Sequence, residues 1–394
     1  MKRAAAALAA TAALVSFASP AAAEDATAAA LFASGNFDAA AVRYSADLAT
    51  NAHDPKASLG LGTIRLYQND LAAARPLLQA ALAADPSNAT AASRLRELQR
   101  RVAEASRTAT VAGAQTIVPF VTADPLPVVR IRVNGKDATF MIDTGGDFVL
   151  EPQFAATLGL TLEGAGTGVF AGGKTAALQR ATVRRVEFGT AVAEDVAATV
   201  LPTHASDLFA GKIAIDGILG TTVFERFLVT IDYPHARLIV RPRSPAVSTA
   251  FERAATAAGA TIVPCWLVGD HFVFATAQVN DAPPGLFFFD TGLAGGGLSP
   301  APQLLTAAKI TIDAARAGTG VGGGGAVTAI PFVASRIAVG NAVVRHVPGL
   351  YTPQGNPFGI FPFAVWGLIS NDFLAHFAYT VDFDAMKIVL APSV

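Results

Sequence analysis

The spacing of apolar residues divides the chain into a helical part and a strand-rich part. From Ala26 to about Ala105, apolar residues recur at helical intervals in a sequence rich in Ala, Leu, Arg and Gln. After a polar stretch from Ser106 to Gln115, short apolar and β-branched runs are separated by Gly and Pro, which is typical of an all-β fold. The pattern therefore predicts N-terminal helices followed by a mainly β region.

The helical part repeats with a period of 34 residues, which is the period of a tetratricopeptide helix pair. The second copy resembles that family at its small, bulky and helix-ending positions, whereas the first copy has Asp47 where a small residue is expected. With fewer than three repeats, we expect another surface or subunit to cover the open face. The segment fits either a docking platform for a partner protein or a spacer or self-association unit. The first-copy residues Gly35, Phe37, Ala40 and Tyr44 correspond to Asn69, Leu71, Ala74 and Leu78, and the family-like positions are Leu61, Gly62, Ala74, Leu78, Ala81 and Pro86.

The strand-rich part repeats itself once, at an offset that drifts from 145 to 152 residues. Seven matches occur in the same order, which indicates two copies of one β unit of about 140 residues, related by a pseudo-twofold axis. The matches begin at Thr116 and Thr261, Val133 and Val279, Phe140 and Phe287, Gly166 and Gly318, Gly189 and Gly340, Gly217 and Gly367, and Phe227 and Phe377.

Each copy has an Asp-Thr-Gly sequence at the end of an apolar strand. Asp143 follows Phe-Met-Ile, and Asp290 follows Phe-Phe-Phe. A carboxylate at the edge of a core needs hydrogen bonds, and the nearby Gly permits a tight turn whose N–H groups can supply them. A single copy would be explained by a hairpin turn. Two copies in related halves predict that Asp143 and Asp290 meet face to face, share one proton and hold one water.

From about Val118 to Pro392 the sequence resembles the aspartic peptidases, the pepsin and retropepsin-like superfamily. The resemblance rests on the two Asp-Thr-Gly sequences, a Gly-rich hairpin after each, and an apolar-apolar-Gly element in the first half. It implies a bilobal, mainly β fold with a cleft between the lobes. It also implies catalytic Asp143 and Asp290, with the two active-site turns supported by Thr144, Gly145, Thr291 and Gly292.

The resemblance further implies that two Gly-rich segments, 164–174 and 318–325, act as flaps over a bound peptide. The flap residues expected to contact substrate are Gly168, Val169, Phe170, Gly320 and Val321. Two comparable flaps are more similar to the symmetric retropepsins than to the single-flap pepsins. The implied mechanism is general acid–base hydrolysis of a peptide bond without a covalent intermediate.

The sequence departs from the family pattern at several positions around the two turns. Gly146 and Leu293 lack the hydroxyl that many members carry after Asp-Thr-Gly, and Ser370 replaces the Gly found at Gly220 in the first half. We expect Ser370 to weaken the second half. Asp147 is a third acid near one turn, and we expect it to point outward as a solvated loop residue.

Composition excludes several other classes of function. Net charge is -1, with 29 basic and 30 acidic residues and no basic run, which argues against nucleic-acid binding. The single Cys265 cannot form an intramolecular disulfide, and no Cys/His group has zinc spacing. We therefore expect no metal and no cofactor. With 52% hydrophobic and 15% charged residues, stability must come from packed apolar cores.

One motif points to a different chemistry. Residues 168–175 match the phosphate-binding pattern G-x-x-x-x-G-K-[ST] through Lys174, but this pattern requires a buried strand before it and a helix after it. The preceding residues are not a buried strand. The following segment, Thr175 to Glu187, has a repeat partner that contains Pro331, which favours strands over a helix. We therefore expect a flap hairpin here and no nucleotide.

The N-terminus has the charged start, apolar middle and A-x-A end of a secretory signal peptide, with cleavage expected after Ala23. The predicted domains are a signal peptide (1–23), helical repeats (24–106), a first β lobe (107–245) and a second β lobe (246–394). We expect an exported protein, periplasmic or secreted, without a membrane anchor.

Two hypotheses about function remain open from the sequence. The first is an exported aspartic endopeptidase that acts on peptides or proteins. The alternative is a non-catalytic peptide-binding or assembly protein on the same scaffold. Carboxylates of Asp143 and Asp290 within hydrogen-bonding distance would favour the first, and wide separation would favour the second.

Overall fold

A computed structural model describes residues 26–169, 175–322, 325–353 and 357–392. The predicted signal peptide, the flap residue Phe170 and Lys174 of the phosphate-binding pattern therefore lie outside the described residues. Helices come first and strands follow, so the predicted mainly β fold with N-terminal helices is confirmed.

The helical segment starts each of its longer helices with a side chain that accepts a backbone N–H. Asn36, Asp54, Asp70 and Asn88 are these N-caps, which satisfy donors that have no partner inside the helix. Residues 35 and 69, which are 34 positions apart, both have positive φ between consecutive helices. The helices are α1 (Ala28–Ala33), α2 (Phe37–Thr50), α3 (Pro55–Tyr67), α4 (Leu71–Ala84) and α5 (Ala89–Ala105).

The first lobe contains β1 to β11 and two short helices. A 3₁₀ turn, Ala205–Phe209, precedes β9. The elements are β1 (Ala109–Val111), β2 (Thr116–Thr122), β3 (Val128–Val133), β4 (Lys136–Ile142), β5 (Val149–Leu150), α6 (Pro152–Thr157), β6 (Glu163–Val169), β7 (Thr175–Phe188), β8 (Ala191–Val200), β9 (Gly217–Leu219), α7 (Thr221–Phe224), β10 (Phe227–Asp232) and β11 (Arg237–Pro242).

The second lobe follows a linking helix and repeats the order of the first lobe, which confirms the duplication. Two 3₁₀ turns, Ala314–Arg316 and Pro357–Ile360, lie between its strands. The elements are α8 (Pro245–Ala257), β12 (Thr261–Val268), β13 (Phe272–Val279), β14 (Gly285–Phe289), β15 (Leu298–Pro300), α9 (Pro302–Ala307), β16 (Gly318–Gly322), β17 (Gly325–Val339), β18 (Ala342–Tyr351), β19 (Gly367–Ile369), α10 (Asn371–Leu374), β20 (Phe377–Asp382) and β21 (Lys387–Pro392).

The segments after the two Gly-rich loops are strands. The segment from Thr175 to Glu187, for which a helix was also considered, lies in strand β7. The equivalent strand of the second lobe, β17, includes Pro331. The prediction of strands is confirmed, and the phosphate-binding pattern lacks the helix that its chemistry needs.

A sheet shared by both lobes joins them. β10 pairs with β20, β11 with β2, and β21 with β12, so the strand order is β2–β11–β10–β20–β21–β12. Thr230 and Thr380, which are equivalent in the two copies, face each other at the centre, with hydroxyl oxygens 2.7 Å apart. The pseudo-twofold axis therefore passes between these two residues.

The second lobe covers the apolar face of the helical segment. The ring of Phe37 is fully buried, with its centroid 5.5 Å from that of Trp266 and 5.0 Å from that of Phe363. Leu31, Leu61, Ile64 and Tyr67 belong to the same cluster, together with Leu286, Phe288, Phe358 and Val365 of the second lobe. The surface that we expected to cover the short array is thus part of the same chain.

Polar contacts fasten α5 to both lobes. Arg101 donates to the carbonyl oxygens of Leu267 at 2.7 Å and Gly269 at 2.9 Å, in the second lobe. Glu104 forms an ion pair with Arg226 of the first lobe at 2.8 Å. Since Arg101 and Arg226 are both buried, these contacts are shielded from solvent.

No helix of the described residues is long and apolar enough to cross a membrane.

Replacing Phe37 with Ala is expected to lower the free energy of unfolding by about 3–5 kcal/mol, because it leaves a cavity between the helical segment and the second lobe. Val42→Ala, in the same helix but at a side chain that is 73% exposed, is the matched control. We expect the control to change the free energy by less than about 0.5 kcal/mol. Urea unfolding measures both, and similar midpoints for the two variants would contradict the packing described here.

Candidate active site

Both Asp-Thr-Gly sequences leave their strands in the same way. β4 is parallel to β9 and β14 is parallel to β19, with Ile142 beside Leu219 and Phe289 beside Ile369. The backbone N–H of Asp143 donates to the carbonyl oxygen of Leu219 at 3.3 Å, and that of Asp290 donates to Ile369 at 3.0 Å. The equivalent neighbours hold both acids at the same height on the two sides of the pseudo-twofold axis.

The structure brings the carboxyl groups of Asp143 and Asp290 together across the pseudo-twofold axis. Each carboxylate also accepts the N–H of the Gly two residues later, at 2.9 Å from Gly145 and 2.7 Å from Gly292. Each of these glycines also contacts the opposite acid. A Cβ at Gly145 would lie 2.2 Å from the carboxyl carbon of Asp290, and a Cβ at Gly292 would lie 2.3 Å from that of Asp143. Only Gly allows the two turns to approach this closely.

The threonines of the two turns hydrogen-bond to each other. The N–H of Thr144 donates to Oγ1 of Thr291 at 3.0 Å, and the N–H of Thr291 donates to Oγ1 of Thr144 at 3.1 Å. Thr221, from α7, adds a hydrogen bond from its hydroxyl to the carbonyl of Thr144 at 2.8 Å. Both turn threonines are buried, so their backbone donors depend on these contacts.

The pair of acids is electrostatically strained. Burial, and then the neighbouring Asp143 carboxylate, raise the pKa of Asp290 well above its usual range. Tyr233 and Tyr379 interact electrostatically with Asp290, and burial is the main cause that raises the pKa values of both phenols. The two tyrosines are therefore neutral, and no sequence motif pointed to either of them as a residue of the site. One proton shared by the two carboxyl groups is the state that this site favours.

A comparison with known protein families finds a match in the first lobe. A family model described as "Aspartyl protease" matches residues 129–223, about a quarter of the chain. This segment resembles an aspartyl protease. It contains the first Asp-Thr-Gly turn and the β9 neighbour that supports it.

Among solved structures, a retropepsin-like aspartic protease from Rickettsia conorii is 24% identical to this chain. The match covers 35% of this chain and 96% of that protein, with a TM-score of 0.26. The comparison with curated proteins gave no match.

Ser370, the residue that we expected to weaken the second half, forms a hydrogen bond to the second turn. Its hydroxyl oxygen accepts the N–H of Leu293 at 3.1 Å, and the residue is fully buried. In the first half a side chain at Gly220 is excluded, because a Cβ would lie 2.3 Å from the carbonyl oxygens of Gly146 and Asp147. The two halves therefore support their turns with different residues at this position.

Asp147 is not the solvated loop acid that we expected. Its carboxylate accepts a hydrogen bond from the Thr199 hydroxyl and forms an ion pair with Arg180 at 3.1 Å. The side chain is 18% exposed. Thr199 on β8 and Arg180 on β7 lie opposite each other. The pairing of these two strands brings both residues to Asp147, and the sequence around Asp147 does not reveal it.

The four predicted flap residues that the structure describes lie in two pairs of antiparallel strands, one in each lobe. Gly168 and Val169 end β6, which pairs with β7, and Gly320 and Val321 lie in β16, which pairs with β17. In β6, Glu163, Gly164, Gly166 and Thr167 are exposed.

His271 is a further residue near the acids. Its Nδ1 lies 2.6 Å from the Asp270 carboxylate, and the side chain is 20% exposed. Burial lowers the pKa of His271, but the hydrogen bond and charge of Asp270 and the charges of Asp147 and Asp143 outweigh it and raise the pKa. In the sequence this was one of six scattered histidines without metal spacing. Within the described residues no group of three or more His, Cys, Asp or Glu side chains is placed to hold a metal ion.

Replacing Thr144 with Val is expected to lower the free energy of unfolding by about 1–3 kcal/mol, because the N–H of Thr291 loses its acceptor in a buried place. Thr291→Val should have a similar effect through the N–H of Thr144. Thr249→Val, on the exposed side of α8, is the control and should stay within about 0.5 kcal/mol. Denaturant unfolding gives the three values, and equal stabilities for all variants would contradict a structural role of the threonine pair.

Replacing Asp290 with Asn is expected to stabilise the protein more at pH 7.5 than at pH 4. The folded-state pKa of Asp290 is raised, so the wild type loses stability as the pH rises above the unfolded value of 3.8 and through the folded pKa. Asn carries no such titration. Thermal unfolding at both pH values measures the difference, and a stability gain that is the same at both would contradict the raised pKa.

Proposed function

We propose that this protein is an exported aspartic endopeptidase that hydrolyses peptide bonds with a water activated between Asp143 and Asp290. The observation that carries the proposal is the contact between the two carboxyl groups, each fixed by its own turn and pressed against the glycine of the other. A face-to-face acid pair of this kind favours the peptidase over the non-catalytic alternative. The aspartyl-protease match over residues 129–223 adds support in the first lobe.

The proposed reaction uses one proton and one carboxylate. Because like charges in contact cannot both ionise cheaply, one acid stays protonated while the other is ionised. The carboxylate takes a proton from the water as the water oxygen attacks the peptide carbonyl carbon. The protonated acid donates its proton to the developing oxyanion. The pair titrates as a unit, so the pH dependence belongs to both residues together.

The two hairpins suit an extended peptide as the substrate. In this proposal Gly168, Val169 and Phe170 of one lobe and Gly320 and Val321 of the other close over the peptide. Backbone groups of such strands can bind an extended main chain through hydrogen bonds, as in strand addition to a sheet edge. The binding mode would make recognition depend on the peptide backbone as well as on side-chain pockets.

The proposal also covers where the protein acts and what its helical segment binds. The residues before Ala23 support export to the periplasm or the outside of the cell. The 34-residue spacing of helix pairs supports tetratricopeptide-like repeats, but the second lobe covers their apolar face. A docked partner protein would therefore have to use the remaining exposed face of the helical segment.

Cleavage of a peptide library at pH 3–6 is expected for the wild type, and Asp143→Asn or Asp290→Asn should each reduce the rate by at least about 10²-fold. The rate should fall as the pH rises through the raised pKa of the pair, because the acid form is then lost. The optimum is thus expected below neutrality, and mass spectrometry of the products at each pH measures it.

Asp137→Asn is the matched control for these variants. It removes an acid from β4, the strand that leads to Asp143, but its side chain is 91% exposed and forms only a surface ion pair with Arg132. Its cleavage rate should equal that of the wild type. If the folded wild type cleaves no peptide of the library but binds some of them, the non-catalytic alternative is favoured. A rate that rises steadily through pH 8 would contradict the acid pair.

A further inference from the structure

A small internal cavity lies between the first active-site turn and the shared sheet. On the side of the turn it is bounded by Thr144 and by Thr221 of α7. On the side of the sheet it is bounded by Val229 of β10, by Tyr379 of β20 and by Phe383, which follows β20. All of these residues are buried, so the cavity belongs to the interior of the protein.

The size and the lining of this cavity suit one water molecule. Its polar side chains are the hydroxyl groups of Thr144, Thr221 and Tyr379, and the other lining side chains are Val, Ile and Phe. The centre of a water molecule can occupy about 10 Å³ of the cavity, which is room for one water. Buried waters bind where a few polar groups converge, whereas a purely apolar cavity of this kind stays dry.

The Tyr379 hydroxyl is the group that most needs a partner in this cavity. Its oxygen is shielded from solvent, and no described protein group forms a hydrogen bond of normal geometry with it. Burial raises the pKa of Tyr379, and the Thr144 side chain is near enough to the hydroxyl to oppose that rise. The hydroxyl end of the ring therefore lies on the Thr144 side of the cavity. A buried hydroxyl without a hydrogen bond is destabilising, so a water that binds it stabilises the fold.

The Thr144 hydroxyl has a proton to donate to the cavity. The Thr291 hydroxyl accepts the N–H of Thr144 and donates to the carbonyl oxygen of Ile142 at 3.4 Å. The Thr144 hydroxyl accepts the N–H of Thr291 at 3.1 Å, but among the described residues no carbonyl oxygen accepts its own proton. Since a hydroxyl can both accept and donate, the two turn threonines are equivalent as acceptors and differ as donors.

We propose that this cavity binds one water molecule, which joins Tyr379 of the shared sheet to Thr144 and Thr221 at the first active-site turn. The water accepts the hydroxyl protons of Thr144 and Tyr379. It donates a proton to the oxygen of Thr221, whose own hydroxyl donates to the carbonyl of Thr144 at 2.8 Å. About three hydrogen bonds are typical of a buried water. The water thus extends the hydrogen bonds of the turn threonines to the sheet, and this site does not depend on the proposed peptidase function.

The second half of the chain has a hydroxyl of its own at the equivalent place. Tyr233 and Phe383 correspond in the two copies, each directly after the last Asp of β10 or β20. Burial and then the charge of Asp290 raise the pKa of Tyr233, and the nearby Thr291 side chain opposes this rise. Tyr233 therefore brings a hydroxyl to the second turn, whereas Phe383 leaves the place beside Thr144 to the water.

A high-resolution crystal structure of the wild type tests the site directly. We expect one water whose oxygen lies about 2.5–3.0 Å from Oη of Tyr379 and from Oγ1 of Thr144. A cavity without electron density would overturn the proposal. An ion or another molecule at this place, or a direct hydrogen bond between the two hydroxyls with no water between them, would overturn it as well.

Three variants test which residues hold the water, and oxygen-17 relaxation dispersion counts the long-lived internal waters in solution. Phe383→Tyr places a hydroxyl beside Thr144, in the position that Tyr233 has in the other half, and should displace the water. Tyr379→Phe removes one of the three hydrogen-bond partners of the water. Both variants should contain one long-lived water fewer than the wild type.

Tyr233→Phe is the matched control for this count. It removes a buried tyrosine hydroxyl near the other turn, but Tyr233 does not line the cavity. It should contain as many long-lived waters as the wild type. Equal counts in all three variants would overturn the proposal. If Tyr379→Phe does not fold, Phe383→Tyr decides, because it keeps every hydroxyl of the wild type.

Hydrogen exchange of the turn amides tests the link between the water and the turn. The N–H of Thr291 donates to the Thr144 hydroxyl, which the water holds in place. In Tyr379→Phe this amide should exchange about three- to tenfold faster, since about one net hydrogen bond is lost. The N–H of Thr144, which donates to Thr291, should exchange as in the wild type.

An equal acceleration of both amides would mean a general loss of stability and would overturn the link, as would no change in either. None of these measurements requires activity. A folded wild type that cleaves no peptide would therefore contradict the proposed function and leave the water site to be decided by the crystal structure and the variants.

Discussion

The close crossing of the two Asp-Thr-Gly turns is the contact on which the rest of the structure depends. Each turn places its glycine against the carboxylate of the other, and the two threonines exchange hydrogen bonds in a buried place. These contacts fix the lobes about a pseudo-twofold axis, because neither turn can satisfy its buried groups alone. The shared sheet, with Thr230 and Thr380 at its centre, continues the same symmetry away from the site.

The frame is symmetric, but the side chains that support its two turns are not. Ser370 hydrogen-bonds to the second turn, whereas the first half needs Gly220 at this position. A symmetric pair of acids would share its proton equally between two identical sites. An asymmetric environment can assign one acid to each task, which is useful in a reaction that needs a base and an acid at once.

The helical segment is an internal support of the second lobe. Its apolar face is buried on Trp266 and Phe363, and Arg101 fastens it to the turn that carries His271. The helical segment has too few repeats to close its own core, which explains why its apolar face packs on the second lobe. The sequence left open whether the helical array is a docking platform or a spacer or self-association unit, and its apolar face is bound to its own chain.

Patterns along the chain were enough to predict the order of helices and strands, the duplication, and the two acids with their threonines and glycines. These features are local or repeated, so hydrophobic periodicity and a recurring motif reveal them. The packing of the strands and lobes is needed to show what covers the helices and that Asp147 binds Thr199 and Arg180. These contacts join residues far apart in the chain, and they depend on how the strands and lobes pack, which no local pattern specifies.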